Sequence, residues 1–197
     1  LTATGQSPKG MYDTFKRFAE QTLFISQGVD PYTQSHPMPR ERLEALAAIA
    51  HASPYWNKAD PPQLQLRHDL MRAKLSGFLD RPDAIARRYP LSDNSLPARY
   101  ARAISAYRHA DLRTALAQID ALIQSDPANP YFHELKGQVL LESGRASEAI
   151  GPLRRAVSLA PNAMLVRILL GQALVASNDR GVLDEAIAML RTALARE

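Results

Sequence analysis

Apolar residues in the first ninety positions recur every three or four residues, in stretches separated by proline-rich breaks. This spacing is typical of amphipathic helices, and proline interrupts a helix because it lacks the amide hydrogen. The third of the helices predicted from this spacing, at about 61–78, is expected to bury one stripe of side chains. In this stripe His68 is a hydrogen-bonded core residue beside Leu64, Met71, Leu75 and Phe78. Helices are therefore predicted at about 8–26, 39–51, 61–78 and 82–89.

From residue 96 onward, small residues and prolines return at a fixed distance. Ala103, Gly137 and Gly171 are 34 residues apart, and so are Pro127 and Pro161. This period is that of the tetratricopeptide repeat, in which a small residue lets the two helices of a unit approach closely and a proline ends the second helix. The predicted fold is all-α, a right-handed solenoid of TPR-like helix pairs at about 96–129, 130–163 and 164–197.

The middle unit is the closest to the repeat consensus, and the last unit departs from it. Gly144 is expected at the turn between the two helices of the middle unit. In the last unit the small residue of the second helix is Ala186, three residues later than the period requires. We therefore expect three inserted residues around 178–182 and a bulge in that turn.

The boundary between the two halves is expected in the segment 90–97, which contains two prolines. Residues 1–90 then form a segment of about four helices, and residues 96–197 form the repeat domain. Three units are near the minimum for a repeat array. Support is therefore expected from the preceding helices or from a second copy of the chain in a homo-oligomer.

Positive charge is concentrated in the middle of the chain. The formal net charge is +4, and residues 67–113 hold ten Lys and Arg against five Asp and Glu. These cations recur at helical spacing with acids between them, and no nucleic-acid-binding motif accompanies them. A solvated or subunit-facing basic surface is the favoured interpretation, so no nucleic-acid partner is expected. Binding to nucleic acid or acidic lipid is the alternative, and salt would weaken nucleic-acid binding steeply.

The composition excludes cysteine-based sites and does not indicate where the protein is located. Cysteine is absent, which excludes disulfides and thiolate metal sites. No stretch approaches 18 uninterrupted apolar residues, so no membrane span is expected. The chain starts at Leu1 without the basic and apolar regions of a signal peptide. We interpret it as a fragment or processed product whose targeting information lies upstream.

Several short segments resemble the part of M48-family zinc metalloproteases that follows the active site, where bacterial members often carry tetratricopeptide repeats. These segments are residues 7–11, 35–42, 73–79, 99–103 and 134–138. The most specific is the His-Pro-x-Pro-x-x-Arg stretch from His36 to Arg42. The resemblance implies the C-terminal region of a periplasmic peptidase of envelope protein quality control, whose repeats recruit or position polypeptide substrates.

The zinc-binding motif of that family is not in this sequence. A peptidase of this class needs two histidines one helical turn apart to hold zinc and a glutamate between them to activate water. In the nearest approach, which begins at His133, Gly137 stands where the second histidine would be. We therefore expect no catalytic residue, metal or cofactor in this chain, and zinc in an upstream catalytic domain of the parent protein.

Two further expectations depend on this resemblance. It places His36, Pro37 and Arg42 in a loop beside the active site of the parent enzyme, where His36 is hypothesised to contact the metal or substrate. The alternative is that His36 only shapes the turn.

A rival to the protease interpretation is a free-standing tetratricopeptide adaptor, in which the N-terminal helices cap the array and the native product begins near Leu1.

Partner binding is expected on the first helices of the stacked units, whose outward positions line a groove in such arrays. These positions lack the lysine, asparagine and arginine combination with which some adaptors grip a C-terminal carboxylate. An extended or partly folded polypeptide is therefore the expected partner. The equally weighted alternative is that half of these residues pack on a neighbouring helix or domain. The positions are Tyr100, Ile104, Tyr107, Tyr131, Glu134, Gln138, Leu141, Leu165, Ile168 and Gln172.

Overall fold

The computed structural model describes residues 2–22 and 39–194, and the regular structure of these residues is helical. Short 3₁₀ helices lie at Thr2–Thr4 and Arg180–Val182. The second, third and fourth predicted helices agree with the observed ones within one residue at each end. The α-helices are α1 (Lys9–Thr22), α2 (Pro39–His51), α3 (Pro62–Leu79), α4 (Pro82–Arg88), α5 (Leu96–His109), α6 (Leu112–Ser125), α7 (Pro130–Glu142), α8 (Ala146–Leu159), α9 (Met164–Ala176) and α10 (Leu183–Leu194).

The chain divides into two compact units, an N-terminal unit of residues Leu1–Gln65 and a C-terminal unit of residues Leu66–Glu197. In the N-terminal unit α1 packs against α2. Tyr12 meets the rings of His51 and Trp56 edge-on, with ring centroids 4.9 Å and 5.6 Å apart. The Ser7 hydroxyl donates a hydrogen bond of 2.7 Å to the Trp56 carbonyl. Aromatic packing therefore joins α1 to the end of α2 and the turn after it.

The C-terminal unit contains the three predicted helix pairs, α5 with α6, α7 with α8, and α9 with α10. Polar caps begin several of these helices: the Asp111 carboxylate accepts from the Thr114 amide at 2.9 Å, and the Asn129 side chain accepts from the Tyr131 amide at 3.1 Å. Gly144, at the turn of the middle pair, has φ +75°. The all-α, TPR-like architecture is thus confirmed.

Close approach at a glycine holds the second and third pairs together. A methyl group added at Gly137 would lie 2.3 Å from Cγ of Leu153, and one added at Gly171 would lie 2.7 Å from Cδ2 of Leu190. Gly137 and Gly171 are one period apart, whereas Leu190 follows Leu153 by three residues more than one period. The 3₁₀ helix Arg180–Val182 takes up these residues in the turn of the last pair. The predicted insertion and bulge are therefore confirmed.

The prediction for the buried face of α3 was wrong for most of its residues, although Phe78 does pack against the core. Ala73, Ser76 and Gly77 are buried, whereas Met71 and Leu75 are each 53% exposed. His68 is not a core residue, because its side chain is 52% exposed and lies 3.5 Å from the Asp69 carboxylate. The small-residue face is buried because it permits a closer approach to α5 than the larger apolar side chains would.

The compact unit that holds the repeats begins earlier than the sequence boundary, at Leu66. Ala73 belongs to the same buried cluster as Tyr100 and Ile104 of α5, and a methyl group at Gly77 would lie 2.7 Å from Cβ of Ile104. Residues 66–90, which the sequence groups with the first half, therefore pack with the array. The reason is that α3 buries its small face against the first repeat.

Candidate polypeptide-binding surface

The first helices of the three pairs, α5, α7 and α9, carry most of the expected groove positions at the surface. Tyr131 and Leu165 are prominent, with 50% and 78% of their side chains exposed. We call the accessible set the first-helix surface. It consists of the exposed residues Tyr131, Leu165 and Gln172 and the half-buried residues Tyr107, Glu134, Gln138, Leu141 and Ile168.

Two of the expected groove positions are instead in the core. Tyr100 is 2% exposed, and Ile104 has no exposed surface. The Tyr100 ring packs edge-on against Phe132, with centroids 5.1 Å apart. Both side chains face inward because the small-residue face of α3 covers this part of α5. The interpretation of Tyr100 and Ile104 as open groove residues is corrected accordingly.

Glu142, at the end of α7, joins two of the predicted residues. The Tyr107 hydroxyl donates a hydrogen bond to the Glu142 carboxylate, and Gln138 Nε2 donates to the same carboxylate at 2.8 Å. Partial burial, together with this bond, raises the pKa of Tyr107 to about 12. Tyr107 is therefore a neutral donor at physiological pH. Sequence periodicity did not single out Glu142, which lies one helical turn beyond Gln138.

Lys74 of α3 adds a cation to this surface. Its ammonium group lies 2.8 Å from the Glu134 carboxylate and 5.7 Å from the centre of the Tyr131 ring. The Glu134 side chain is mostly buried in this pair, at 13% exposure. Together with the Tyr107–Glu142 hydrogen bond, these contacts bring α3, α5 and α7 together on one side of the unit. The repeat period of 34 residues does not indicate that α3 takes part.

A cleft of about 710 Å³ opens between α3 and the start of α7. We call it the α3–α7 cleft, and it shares Lys74 and Tyr131 with the contacts just described. Tyr100 is one of the lining residues, and its buried hydroxyl has no hydrogen-bond partner within residues 2–22 and 39–194. The lining residues are Arg67, Leu70, Met71, Lys74, Tyr100, Asp126, Ala128, Asn129, Pro130, Tyr131, Phe132 and Leu159.

Several cations of the basic middle segment hold the fold. Arg88 donates to the Ser76 hydroxyl at 2.5 Å and to the Asp80 carboxylate at 2.7 Å. Arg99 donates to the Ala121 carbonyl at 2.8 Å. Arg102 donates to three carbonyl oxygens of the segment that leads into α5, those of Tyr89, Pro90 and Asp93. These three arginines of the positively charged segment therefore stabilise the fold.

The three residues assigned by resemblance to a loop beside an active site are only partly described. His36 and Pro37 lie outside the described residues, and their role stays a prediction. Arg42 lies in α2, and its guanidinium carbon is 5.1 Å from the centre of the Phe15 ring of α1. In this structure Arg42 therefore contacts an aromatic face within the N-terminal unit.

Within 2–22 and 39–194, no group of three or more His, Asp and Glu side chains is placed to hold a metal ion. No helix in these ranges has the length and apolar character needed to cross a bilayer.

Comparison with known proteins agrees with this architecture. Residues 100–163 match the family model described as tetratricopeptide repeat, which spans α5 through α8. No curated protein and no solved structure matches the chain. Arrays of this kind present extended surfaces for binding other proteins. The chain therefore contains tetratricopeptide repeats, and repeats of this kind imply a protein–protein interaction module.

Proposed function

We propose that the first-helix surface binds an extended polypeptide. The observation that carries this proposal is the row of apolar and amide side chains on successive repeats, in which Tyr131 and Leu165 are among the exposed large side chains. An extended chain needs apolar contacts for affinity and hydrogen-bonding groups for its backbone. Gln138 and Gln172 supply the second kind of group.

The same residues argue against recognition of a chain-terminal carboxylate on this surface. The eight residues of the first-helix surface include no lysine or arginine. Lys74, which lies beside them, is already paired with Glu134 at 2.8 Å. On these eight residues a carboxylate would lack a cation and would meet the negative charge of Glu134, so they favour a neutral segment.

Leu165→Ser should weaken binding of an unfolded polypeptide about tenfold, because it removes one of the most exposed apolar contacts of the surface. The probe is fluorescein-labelled α-lactalbumin, reduced and alkylated so that it stays unfolded, and the readout is fluorescence anisotropy with the full chain. Leu79→Ser is the matched control, since Leu79 is 77% exposed but lies outside the first-helix surface. Equal losses in both variants, or no binding by the unaltered chain, would contradict the proposal.

The parent protein is proposed to be an M48-type zinc metalloprotease of the periplasm, in which these repeats present polypeptide substrates to an upstream catalytic domain. Support comes from the resemblance of residues 7–11 and 35–42 to the segment after the active site of that family. A module that binds extended chains suits this task, because a peptidase cleaves extended substrates. The rival is a free-standing adaptor that uses the same surface.

The intact mass of the native protein separates these two proposals. A product longer than residues 1–197, with a His-Glu-x-x-His helix upstream and bound zinc, is the expected result for a protease. The measurement is mass spectrometry of the protein from its own cells, with peptide sequencing of its N-terminus and metal analysis. A native product that begins near Leu1 would overturn the protease parent and leave the adaptor.

A further inference from the structure

The hydroxyl of Tyr100 is a buried polar group without a partner. Its oxygen is shielded from solvent and forms no hydrogen bond with any residue in the described part of the chain. Buried tyrosine hydroxyls normally find an acceptor. Burial, followed by the charge of Glu134, raises the pKa of Tyr100 above its ordinary value, so the hydroxyl keeps its proton at neutral pH. It is therefore an unpaired hydrogen-bond donor in a residue that lines the α3–α7 cleft.

Arg67 provides a second unused donor at the same cleft. Its side chain lines the cleft at the first turns of α3, and it has no acceptor among residues 2–22 and 39–194. Lys74 and Asp126, also in the lining, are by contrast engaged with Glu134 and Asn129. The cleft lining thus includes two donors without a partner in the described part of the chain, the buried neutral hydroxyl of Tyr100 and the exposed cation of Arg67.

The rest of the lining is largely apolar. Leu70 and Met71 of α3 form one side, and Phe132 of α7 with Leu159 of α8 contribute to the other. A volume of about 710 Å³ is large enough for a bulky side chain and its backbone. Tyr131 belongs both to this lining and to the first-helix surface, so a segment on that surface can reach the cleft.

We propose that the α3–α7 cleft anchors the bound polypeptide by taking a large apolar side chain that is followed by an aspartate or glutamate. The apolar side chain packs between Met71 and Tyr131, which line the cleft and are each about half exposed. The Tyr100 hydroxyl donates to a backbone carbonyl of the segment, and Arg67 pairs with the acidic side chain. This assignment rests on the proposed polypeptide binding, and it adds an acidic preference that the first-helix surface itself lacks.

Selection of peptides tests the cleft directly. A phage library of random internal 12-residue peptides is selected on the full chain, and a second library displays peptides with free C-termini. Enriched peptides are synthesised and measured by fluorescence anisotropy against Tyr100→Phe, Arg67→Gln and Arg72→Gln. Arg72 is the matched control, because it is an exposed arginine of α3 outside the cleft lining.

The expected result is enrichment of apolar–acidic pairs in the internal library. Tyr100→Phe should weaken their binding about three- to tenfold, the range for one hydrogen bond. Arg67→Gln should weaken it about threefold and reduce its salt dependence, since Arg67 is exposed. Arg72→Gln should have no effect. Tyr100→Phe should melt at the same temperature as the unaltered chain or higher, because it removes a hydroxyl that has no partner.

The other outcomes separate this inference from the proposed function. If peptides bind the chain and their affinity is unchanged by both Tyr100→Phe and Arg67→Gln, the anchor site is overturned while the proposed polypeptide binding stands. If only the library with free C-termini yields ligands, an internal acidic residue is not the occupant of the cleft. If neither library yields a ligand and unfolded α-lactalbumin does not bind, both proposals fail.

Discussion

Phe132→Ala is expected to destabilise the C-terminal unit by about 3–5 kcal/mol, the range for removing a buried phenylalanine. Phe132 has no exposed surface, and its ring packs edge-on against Tyr100 with centroids 5.1 Å apart. It lies in the cluster that joins α3, α5, α6 and α7, so its loss affects contacts between consecutive repeats. Truncation also removes part of the wall of the α3–α7 cleft.

Urea unfolding of the full chain, followed by far-UV circular dichroism, measures this effect as a shift in transition midpoint. Tyr131→Ala is the control, because the neighbouring side chain is half exposed and its removal should cost under about 1 kcal/mol. If Phe132→Ala does not fold, Phe132→Leu should show a smaller shift in the same direction. Equal shifts for residues 131 and 132 would contradict the observed burial.

Gly137→Ala should destabilise the middle repeat by up to about 2 kcal/mol net. Overpacking of a well-filled core costs about 1–3 kcal/mol, from which the helix preference of alanine subtracts about 1 kcal/mol. The added methyl group would lie 2.3 Å from Cγ and 2.6 Å from Cδ2 of Leu153, which is fully buried. The two helices must therefore separate.

A double-mutant cycle with Leu153→Ala tests the cause. In that background the space beside Gly137 is open, so Gly137→Ala should instead stabilise the chain by up to about 1 kcal/mol. Urea midpoints of the four variants give the coupling. A shift of the same sign and size in both backgrounds would show that contact with Leu153 does not set the spacing of α7 and α8.

The repeat half was predictable because its periodic residues have a direct physical role. Gly137 and Gly171 are the points of closest approach within their pairs, so the spacing of small residues reports the helix pairing itself. The insertion in the last unit was predictable for the same reason, since Ala186 marks the second helix independently of the turn length. Ala186 is indeed buried in the core of that unit.

The surface was less predictable because α3 lies outside the period. Its large apolar stripe suggested a buried face, but Ala73 and Gly77 allow closer packing on α5 and determine the orientation. That orientation buries Tyr100 and brings Lys74 to Glu134. A contact between a non-repeat helix and the first repeat has no spacing signal, so neither the burial nor the cleft follows from periodicity.

The last pair accommodates extra residues without loss of its internal contact. Leu190 meets Gly171 as Leu153 meets Gly137, although the connecting turn contains the additional 3₁₀ helix Arg180–Val182. Turn length and helix register are therefore independent in this fold. The turn that contains Gly144 should tolerate inserted peptide tags or fluorophores, and length differences between related chains should accumulate at such turns.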